Sequence, residues 1–200
     1  MQMTKGARTR ARLVESMLEL IQARGYSGTG LNAVTKHAAA PKGSMYFHFP
    51  DGKEALGLAA VELAASRFQA LVEDAASDGA KPSETVSRII DVLSGMVTDS
   101  EFQLGCPVSV VTLEMGTDSD RLRSACATAF DSWITPMAEY LAATGHPEPK
   151  ARTLATALVS MVEGALIVSR AQRSIEPLRC ARDVITQLID NNTTNEGPTA

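Results

Sequence analysis

The chain has few cysteines and no long uncharged apolar run. Its three cysteines, Cys106, Cys126 and Cys180, are widely spaced and odd in number, which excludes a disulfide framework and fits no zinc-ligand spacing. We expect three reduced thiols in helices, packing as small hydrophobic side chains. No segment reaches about 18 uncharged apolar residues, so we predict no membrane span. Glu15 and Glu19 interrupt the apolar residues after the basic start, which predicts no signal peptide and a cytoplasmic protein.

Motifs for catalysis and cofactor binding are also missing. The three histidines, His37, His48 and His146, are far apart in sequence, and GxSxG, HExxH and phosphate-loop patterns do not occur. Glu114 and Glu163 would form a carboxylate pair only if they met in space. We therefore predict no enzyme activity, no cofactor and no metal.

Charge is unevenly distributed along the chain. Residues 1–50 hold seven Lys or Arg against two Glu, a charge of +5. Because the net charge of the chain is −4, the remaining residues carry −9. A basic end on an acidic protein suits a polyanionic partner at that end only. Chance clustering on a solvated face is the alternative.

The residue pattern predicts an all-α fold. Helix-forming residues abound, and no segment shows sustained alternation of β-branched residues. We predict a three-helix head and a six-helix body, with helices at about 8–24, 31–38, 41–48, 53–77, 82–98, 105–115, 119–143, 149–173 and 176–191. The predicted domains are the three-helix head (1–52), the six-helix body (53–190) and a flexible tail (191–200).

A helix-turn-helix pattern surrounds Pro41. Proline fits the first turn of a helix, where its missing N–H needs no partner. A helix N-terminus attracts phosphate, Lys42 adds a charge, and Gly43 allows close approach of the backbone. Ser44 and Tyr46 supply hydroxyl groups. This pattern predicts DNA contact, although the same residues would also suit surface and packing roles.

Three runs resemble the signature of the TetR/AcrR family of transcriptional regulators: RGY at 24–26, TGLN at 29–32 and APKGSMYFHFPDGKEAL at 40–56. The forms APKGS and FPxGKE, with LGCPV at 104–108 and VEGAL at 162–166, resemble the LmrA/YxaF-like branch. The resemblance covers about residues 8–190.

This resemblance implies which head residues meet DNA. The implied DNA-binding residues, on a recognition helix and at flanking phosphate-contact positions, are Thr29, Lys42, Gly43, Ser44, Tyr46, Phe47, His48 and Lys53. Ala39 stands where the family often has glycine. If φ is positive at this position, alanine costs about 1 kcal/mol relative to glycine. Phe47 replaces a frequent tyrosine, exchanging a hydroxyl contact for contact with a thymine methyl.

The resemblance also implies a ligand pocket in the body. Such pockets are mostly apolar with a few polar groups, and the implied ligand-binding residues are Phe68, Met96, Phe102, Leu104, Cys106, Val110, Glu114, Phe130, Trp133, Met137, Met161 and Glu163. The apolar ones would serve equally well as core. Pro136 should kink the helix that carries Trp133.

Two apolar stripes near the C-terminal end predict a homodimer. The predicted dimer-interface residues are Leu154, Leu158, Met161, Val162, Ala165, Leu178, Val184, Ile185 and Leu188. A helix pair facing its own copy would form a two-fold four-helix interface, whereas the alternative is that these helices close the protomer core.

Together these observations predict a ligand-responsive regulator. We expect a repressor homodimer that binds double-stranded operator DNA of palindromic sequence and leaves it when a small apolar or aromatic effector binds the body. We expect no membrane partner. The alternatives are a small-molecule-binding protein or an enzyme with a degenerate DNA-binding head.

Overall fold

The structure is a computed structural model that describes residues 4–192. These residues form nine α-helices and no strand: α1 (Lys5–Arg24), α2 (Leu31–His37), α3 (Lys42–His48), α4 (Gly52–Ala75), α5 (Pro82–Asp99), α6 (Pro107–Met115), α7 (Asp120–Ala143), α8 (Glu148–Gln172) and α9 (Glu176–Asn192). The all-α prediction is confirmed. Of the predicted tail, residues 193–200 lie outside the described residues, while Asn191 and Asn192 complete α9.

The chain divides into two compact units that each combine two segments. The first unit comprises Met1–Arg67 and Cys106–Ala129, and the second comprises Phe68–Gly105 and Phe130–Ala200. Helices α4 and α7 contribute residues to both units. The boundary predicted between residues 52 and 53 separates a DNA-binding domain from a ligand-binding domain. It divides the chain by function and not by packing, and it stays a prediction.

The core of the first unit is built on α1, which packs against α2, α3 and α6. The Thr4 hydroxyl caps the start of α1 by accepting from the Ala7 N–H at 3.2 Å, and Gly25, at φ 81°, ends the helix. The largest fully buried side chains of this unit are Leu13, Met17, Ile21, Val34, Met45, Leu56, Val61 and Leu122. Each contributes about 1.5–3 kcal/mol by leaving water.

The core of the second unit is formed by α5, α8 and α9, which pack on one another. Pro82 opens α5, where the Glu84 carboxylate accepts from the Lys81 N–H at 3.3 Å. His146 is buried after α7, and its two ring nitrogens lie 3.0 Å from Leu141 O and 3.1 Å from Ile189 O. The imidazole therefore ties the end of α7 to the last turns of α9.

Two helices are long and apolar enough to cross a membrane by length and composition alone. The most apolar 18-residue windows of α4 and α8 have mean hydropathies of 1.4 and 1.5. The sequence prediction considered only uncharged runs, whereas these windows admit up to two charged residues. Core helices of soluble proteins pass the same test, so the two windows are weak evidence for a span.

Candidate nucleic-acid interface and ligand cleft

The short helix α3 presents most of its side chains to solvent. Met45 is buried and anchors the helix, whereas Tyr46 is 62% exposed and Phe47 is 81% exposed. The phenyl ring of Phe47 stands edge-on to the ring of His48, with their centroids 5.0 Å apart. Tyr46 and Phe47 are adjacent, so together they give this helix an exposed aromatic surface.

The other predicted residues of α3 are exposed or half-buried. Lys42 and Gly43 are exposed, and Ser44 and His48 are half-buried. Pro41 stands at the N-cap with ψ 141°, and helical geometry begins at Lys42. The structure therefore brings Lys42, Gly43, Ser44, Tyr46, Phe47 and His48 together on one helix, with Met45 as its buried anchor.

Ala39 forms the turn between α2 and α3. Its φ is 46°, the left-handed conformation that L-residues with a Cβ rarely adopt. The Ala40 N–H closes the turn by donating to Thr35 O at 3.0 Å. The conformation anticipated for this position is therefore present, although the residue is alanine.

The two predicted phosphate-contact residues differ in accessibility. Thr29 is 1% exposed, and its hydroxyl donates to Gly25 O at 2.7 Å, so the hydroxyl holds the turn after α1. Burial and this hydrogen bond do not favour a phosphate contact through the hydroxyl, and the phosphate contact of Thr29 stays a prediction. Lys53, in the first turn of α4, is half-buried, and its Nζ lies 4.4 Å from the Tyr26 ring centroid. Burial lowers the pKa of Lys53, and the Glu114 carboxylate opposes that shift.

Glu114 contacts the turn that follows α1. Its Oε2 accepts a hydrogen bond from the Ser27 N–H at 2.6 Å, inside the first unit. Because α6 packs on α1, the last turn of α6 reaches the turn that follows α1. The Glu114 carboxylate is therefore bonded to that turn, and a contact between Glu114 and a ligand stays a prediction. The sequence signal for the contact with the turn was Gly25, whose small size leaves room for the carboxylate.

An apolar cleft lies within the second unit, among α4, α5, α7 and α8. Its lining residues are Phe68, Val72, Val86, Ile89, Ile90, Trp133, Met137, Leu158, Val159, Val162 and Glu163. The rings of Phe68 and Trp133 lie 4.6 Å apart and tilted by 46°. The cleft holds about 450 Å³ of space when its open mouth is included, but the centre of a water molecule can occupy only about 20 Å³. The smaller volume decides what fits, so the side chains of the cleft leave almost no free space between them.

Four predicted ligand residues line this cleft: Phe68, Trp133, Met137 and Glu163. Phe130 stacks edge-on to Trp133 at 5.4 Å. The remaining predicted residues do not line the cleft, and these are Met96, Phe102, Leu104, Cys106, Val110, Glu114 and Met161. Cys106 and Val110 belong to the first unit, and Met161 lines a groove between α8 and α9.

The wall contributed by α5 was missed from sequence. Val86, Ile89 and Ile90 recur at the spacing of one helix face, which the amphipathic pattern of α5 could have indicated.

The predicted dimer residues separate into buried and accessible groups. The buried group is Leu158, Val162, Ala165, Leu178 and Ile185, and this burial favours the alternative that these side chains close the protomer core. Leu154 and Met161 are half-buried, and Val184 and Leu188 are exposed. The sequence missed Ile167 and Val168, which are also exposed on α8.

These features define the structural class of the segment that contains α1, α2 and α3. A three-helix arrangement with a tight turn and an exposed second short helix is a helix-turn-helix, whose recognition helix enters the major groove of DNA.

Comparison with known proteins identifies the family. Residues 13–60 match the model "Bacterial regulatory proteins, tetR family", and residues 82–184 match "Transcriptional regulator LmrA/YxaF-like, C-terminal domain". The HTH-type transcriptional regulator LmrA of Bacillus subtilis is 32% identical, covering 90% of this chain and 96% of LmrA. The HTH-type transcriptional repressor DhaR of Mycobacterium sp. (strain GP1) is 28% identical, covering 93% and 94%.

A crystal structure of regulatory protein TetR from Rhodobacter sphaeroides superposes with a TM-score of 0.81 at 25% identity, covering 90% of this chain and 97% of that one. The chain belongs to the TetR family of bacterial regulatory proteins, with a C-terminal domain of the LmrA/YxaF-like type. It is a DNA-binding transcriptional regulator, and the resemblance drawn from its sequence is confirmed.

Proposed function

We propose that this protein is a ligand-responsive repressor that acts as a cytoplasmic homodimer on a palindromic operator, without cofactor or metal. The observation that carries the DNA-reading role is the exposure of Tyr46 and Phe47 on α3, at 62% and 81%. DhaR, which aligns along nearly the whole chain, is named a repressor, and this supports the direction of the response.

In the proposed complex, α3 lies in the major groove. Phe47 contacts apolar base edges such as thymine methyls, while Tyr46 and His48 reach base edges or phosphates. Lys42 at the start of α3 and Lys53 at the start of α4 meet phosphates, which fix the register of the protein on the duplex. Thr29 takes part only as a support of its turn.

The DNA-reading role is tested by fluorescence anisotropy with labelled duplexes from the genomic region beside the protein's own gene. Lys42→Ala should weaken binding to all duplexes and lower the slope of log affinity against log salt by about 0.9 per head. Phe47→Ala should mainly reduce discrimination between duplexes.

Lys150→Ala, which removes an exposed charge on α8, is the matched control. Parent-like binding by both head variants would argue against a recognition role for α3.

The proposed effector is a small, largely apolar and aromatic molecule that enters the cleft beside Phe68 and Trp133. Drug-sized ligands occupy cavities of about 300–1,000 Å³, so the cleft must widen when the effector binds. Glu163 is the charged residue of the lining, and it suits an effector that carries a hydrogen-bond donor or a positive charge. Because a ligand shifts an equilibrium only through differential affinity, the effector must prefer the DNA-free form.

Effector binding is tested through Trp133, the single tryptophan. The neutral aromatic dye N-phenyl-1-naphthylamine should quench Trp133 fluorescence on binding. Ile90→Phe, which adds bulk to the cleft wall, should weaken that quenching, whereas Val184→Phe on the exposed face of α9 should not. Equal quenching in the parent and both variants would place the dye outside the cleft.

A further inference from the structure

Glu114 stands at a position that is unfavourable for an acidic residue on its own helix. It is the second-to-last residue of α6, where the negative end of the helix dipole disfavours a carboxylate. The hydrogen bond from the Ser27 N–H at 2.6 Å offsets this cost, because hydrogen bonds to ionised groups are short and strong. The carboxylate is therefore held by the α1–α2 turn and not by its own helix.

Gly25 makes this contact sterically possible. Its φ of 81° is a conformation that favours glycine, and a Cβ on this residue would overlap Glu114 Oε1. The glycine thus ends α1 and also leaves the space into which the Glu114 carboxylate reaches.

The same turn supports the head lysine of α4. Lys53 Nζ donates to Ser27 O at 3.4 Å and lies over the Tyr26 ring. The Tyr26 ring itself fits because residue 57 is glycine, where a Cβ would come within 2.6 Å of Tyr26 Cε2. Ser27 is thus bonded at its N–H to Glu114 and at its carbonyl to Lys53.

This arrangement joins the two segments matched by the family models. Ser27 and Lys53 lie within residues 13–60, whereas Glu114 lies within residues 82–184, yet all three belong to the first compact unit. A shift of α6 therefore reaches the lysine of the DNA-binding segment through a single backbone residue.

We propose that Glu114 is a positioning residue for DNA binding: by holding the Ser27 backbone it fixes the turn on which Lys53 rests, and so sets where the Lys53 ammonium meets a phosphate. This inference rests on the Lys53 phosphate contact of the proposed function. It makes α6 the element whose displacement would weaken DNA binding. A second effect is electrostatic, because the Glu114 charge raises the pKa of Lys53 against the lowering caused by burial.

The test compares four variants of the full chain on the same labelled duplexes. Lys53→Ala and Glu114→Ala should each weaken binding about tenfold or more, the equivalent of one charged hydrogen bond, and lower the salt slope by about 0.9 per head. Their combination should be no worse than either alone, since both act on one contact. Glu62→Gln, an exposed carboxylate on α4 in the same unit, controls for the change in net charge.

Glu114→Gln separates the hydrogen bond to Ser27 from the charge of the carboxylate. Its amide oxygen still accepts from the Ser27 N–H, so affinity at pH 7 should stay within about twofold of the parent. Because the charge that raises the pKa of Lys53 is gone, the loss of DNA affinity at alkaline pH should begin at lower pH than in the parent. This profile decides the question even if Glu114→Ala fails to fold.

The possible failures are distinguishable. A weakened Lys53→Ala beside parent-like salt slope and pH profile in the Glu114 variants would overturn the role of Glu114 alone. Parent-like binding by Lys53→Ala would instead remove the Lys53 phosphate contact, and the role of Glu114 with it.

Discussion

Ala39 is a residue at which the backbone of the DNA-binding segment is strained. Its φ of 46° brings its Cβ close to a carbonyl oxygen, at a cost of about 1–2 kcal/mol. The strain lies in the turn immediately before α3, where a change in backbone angle would tilt the exposed side chains of that helix. This conformation could be anticipated because the family resemblance places glycine there, and the position needs no distant contact.

Ala39→Gly should raise the free energy of unfolding by about 0.5 kcal/mol. Glycine removes the left-handed strain but increases the entropy of the unfolded chain, so only part of the strain energy is recovered. Urea denaturation followed by circular dichroism measures the change. Ala38→Gly, at a neighbouring residue with φ −68°, should instead destabilise the protein.

The cysteines show where sequence alone misjudges single residues. All three were expected to pack as small hydrophobic side chains, yet Cys180 is exposed, Cys106 is half-buried and only Cys126 is buried. The spacing of cysteines along the chain does not show whether each lies on the buried or the exposed face of its helix, because that depends on which helices pack against it.

Thiol labelling of the native protein should therefore proceed at three rates. Cys180 should react first with a maleimide, and Cys126 last, because burial removes access and raises the pKa of its thiol. Mass spectrometry of partially labelled protein gives the order. Labelling of Cys126 as fast as Cys180 under native conditions would contradict the burial of α7 at that position.

At the scale of elements, helix positions were largely predictable and helix partners were not. The start of α5 followed from Pro82 and the end of α1 from Gly25, because these signals act within one turn. The membership of α6 in the first unit depends on packing between residues far apart in sequence, such as the Glu114 and Ser27 contact. Periodicity gives an apolar face but does not say which helix covers it.

The connection between α4 and α5 is held by one ion pair. Arg88 donates to both Asp78 carboxylate oxygens at 2.9 Å and to Ala75 O at 3.1 Å. Hydrogen bonding and charge from Arg88 lower the pKa of Asp78 from its ordinary 3.8. The Asp78 carboxylate is exposed, so we expect a small effect that salt weakens.

This pair should make a contribution to stability that depends on pH. Because the pKa of Asp78 is lowered in the folded state, the contribution is present above about pH 3.8 and is lost as pH falls through the folded value. The melting temperature of Asp78→Asn should therefore lie below that of the parent at pH 7, with the difference closing below pH 3.8. A difference that persists undiminished at pH 2.5 would assign the effect to something other than this ionisation.

For the whole molecule, the exposed apolar side chains of α8 and α9 favour a two-fold interface. Ile167 and Val168 on α8 and Val184 and Leu188 on α9 are all accessible in the protomer. The residues predicted from sequence on these two helices mix buried and exposed side chains, because each helix carries apolar residues on more than one side. To tell the buried side of α9 from its exposed side, one must know that α5 packs against α9.

Val184→Glu combined with Leu188→Glu should convert the protein to a monomer. Two carboxylates on that face would have to be desolvated for association, while the protomer core beneath, built on Leu178 and Ile185, is untouched. Light scattering gives the mass, and affinity for a palindromic duplex should fall because only one head can bind per particle. Leu113→Glu, an exposed position on α6, should leave the mass of the dimer unchanged.

The two-segment construction of the first unit has a practical consequence for dissecting and recombining proteins of this kind. A minimal fragment cut after Arg67 would uncover the side of α1 that α6 covers and would lack the carboxylate that holds Ser27. Chimeras that join this DNA reader to a foreign sensor should therefore carry over Cys106–Ala129 as well. A chimera that contains only the first segment would instead pack the α6 of the foreign protein against this α1 and the turn that follows it.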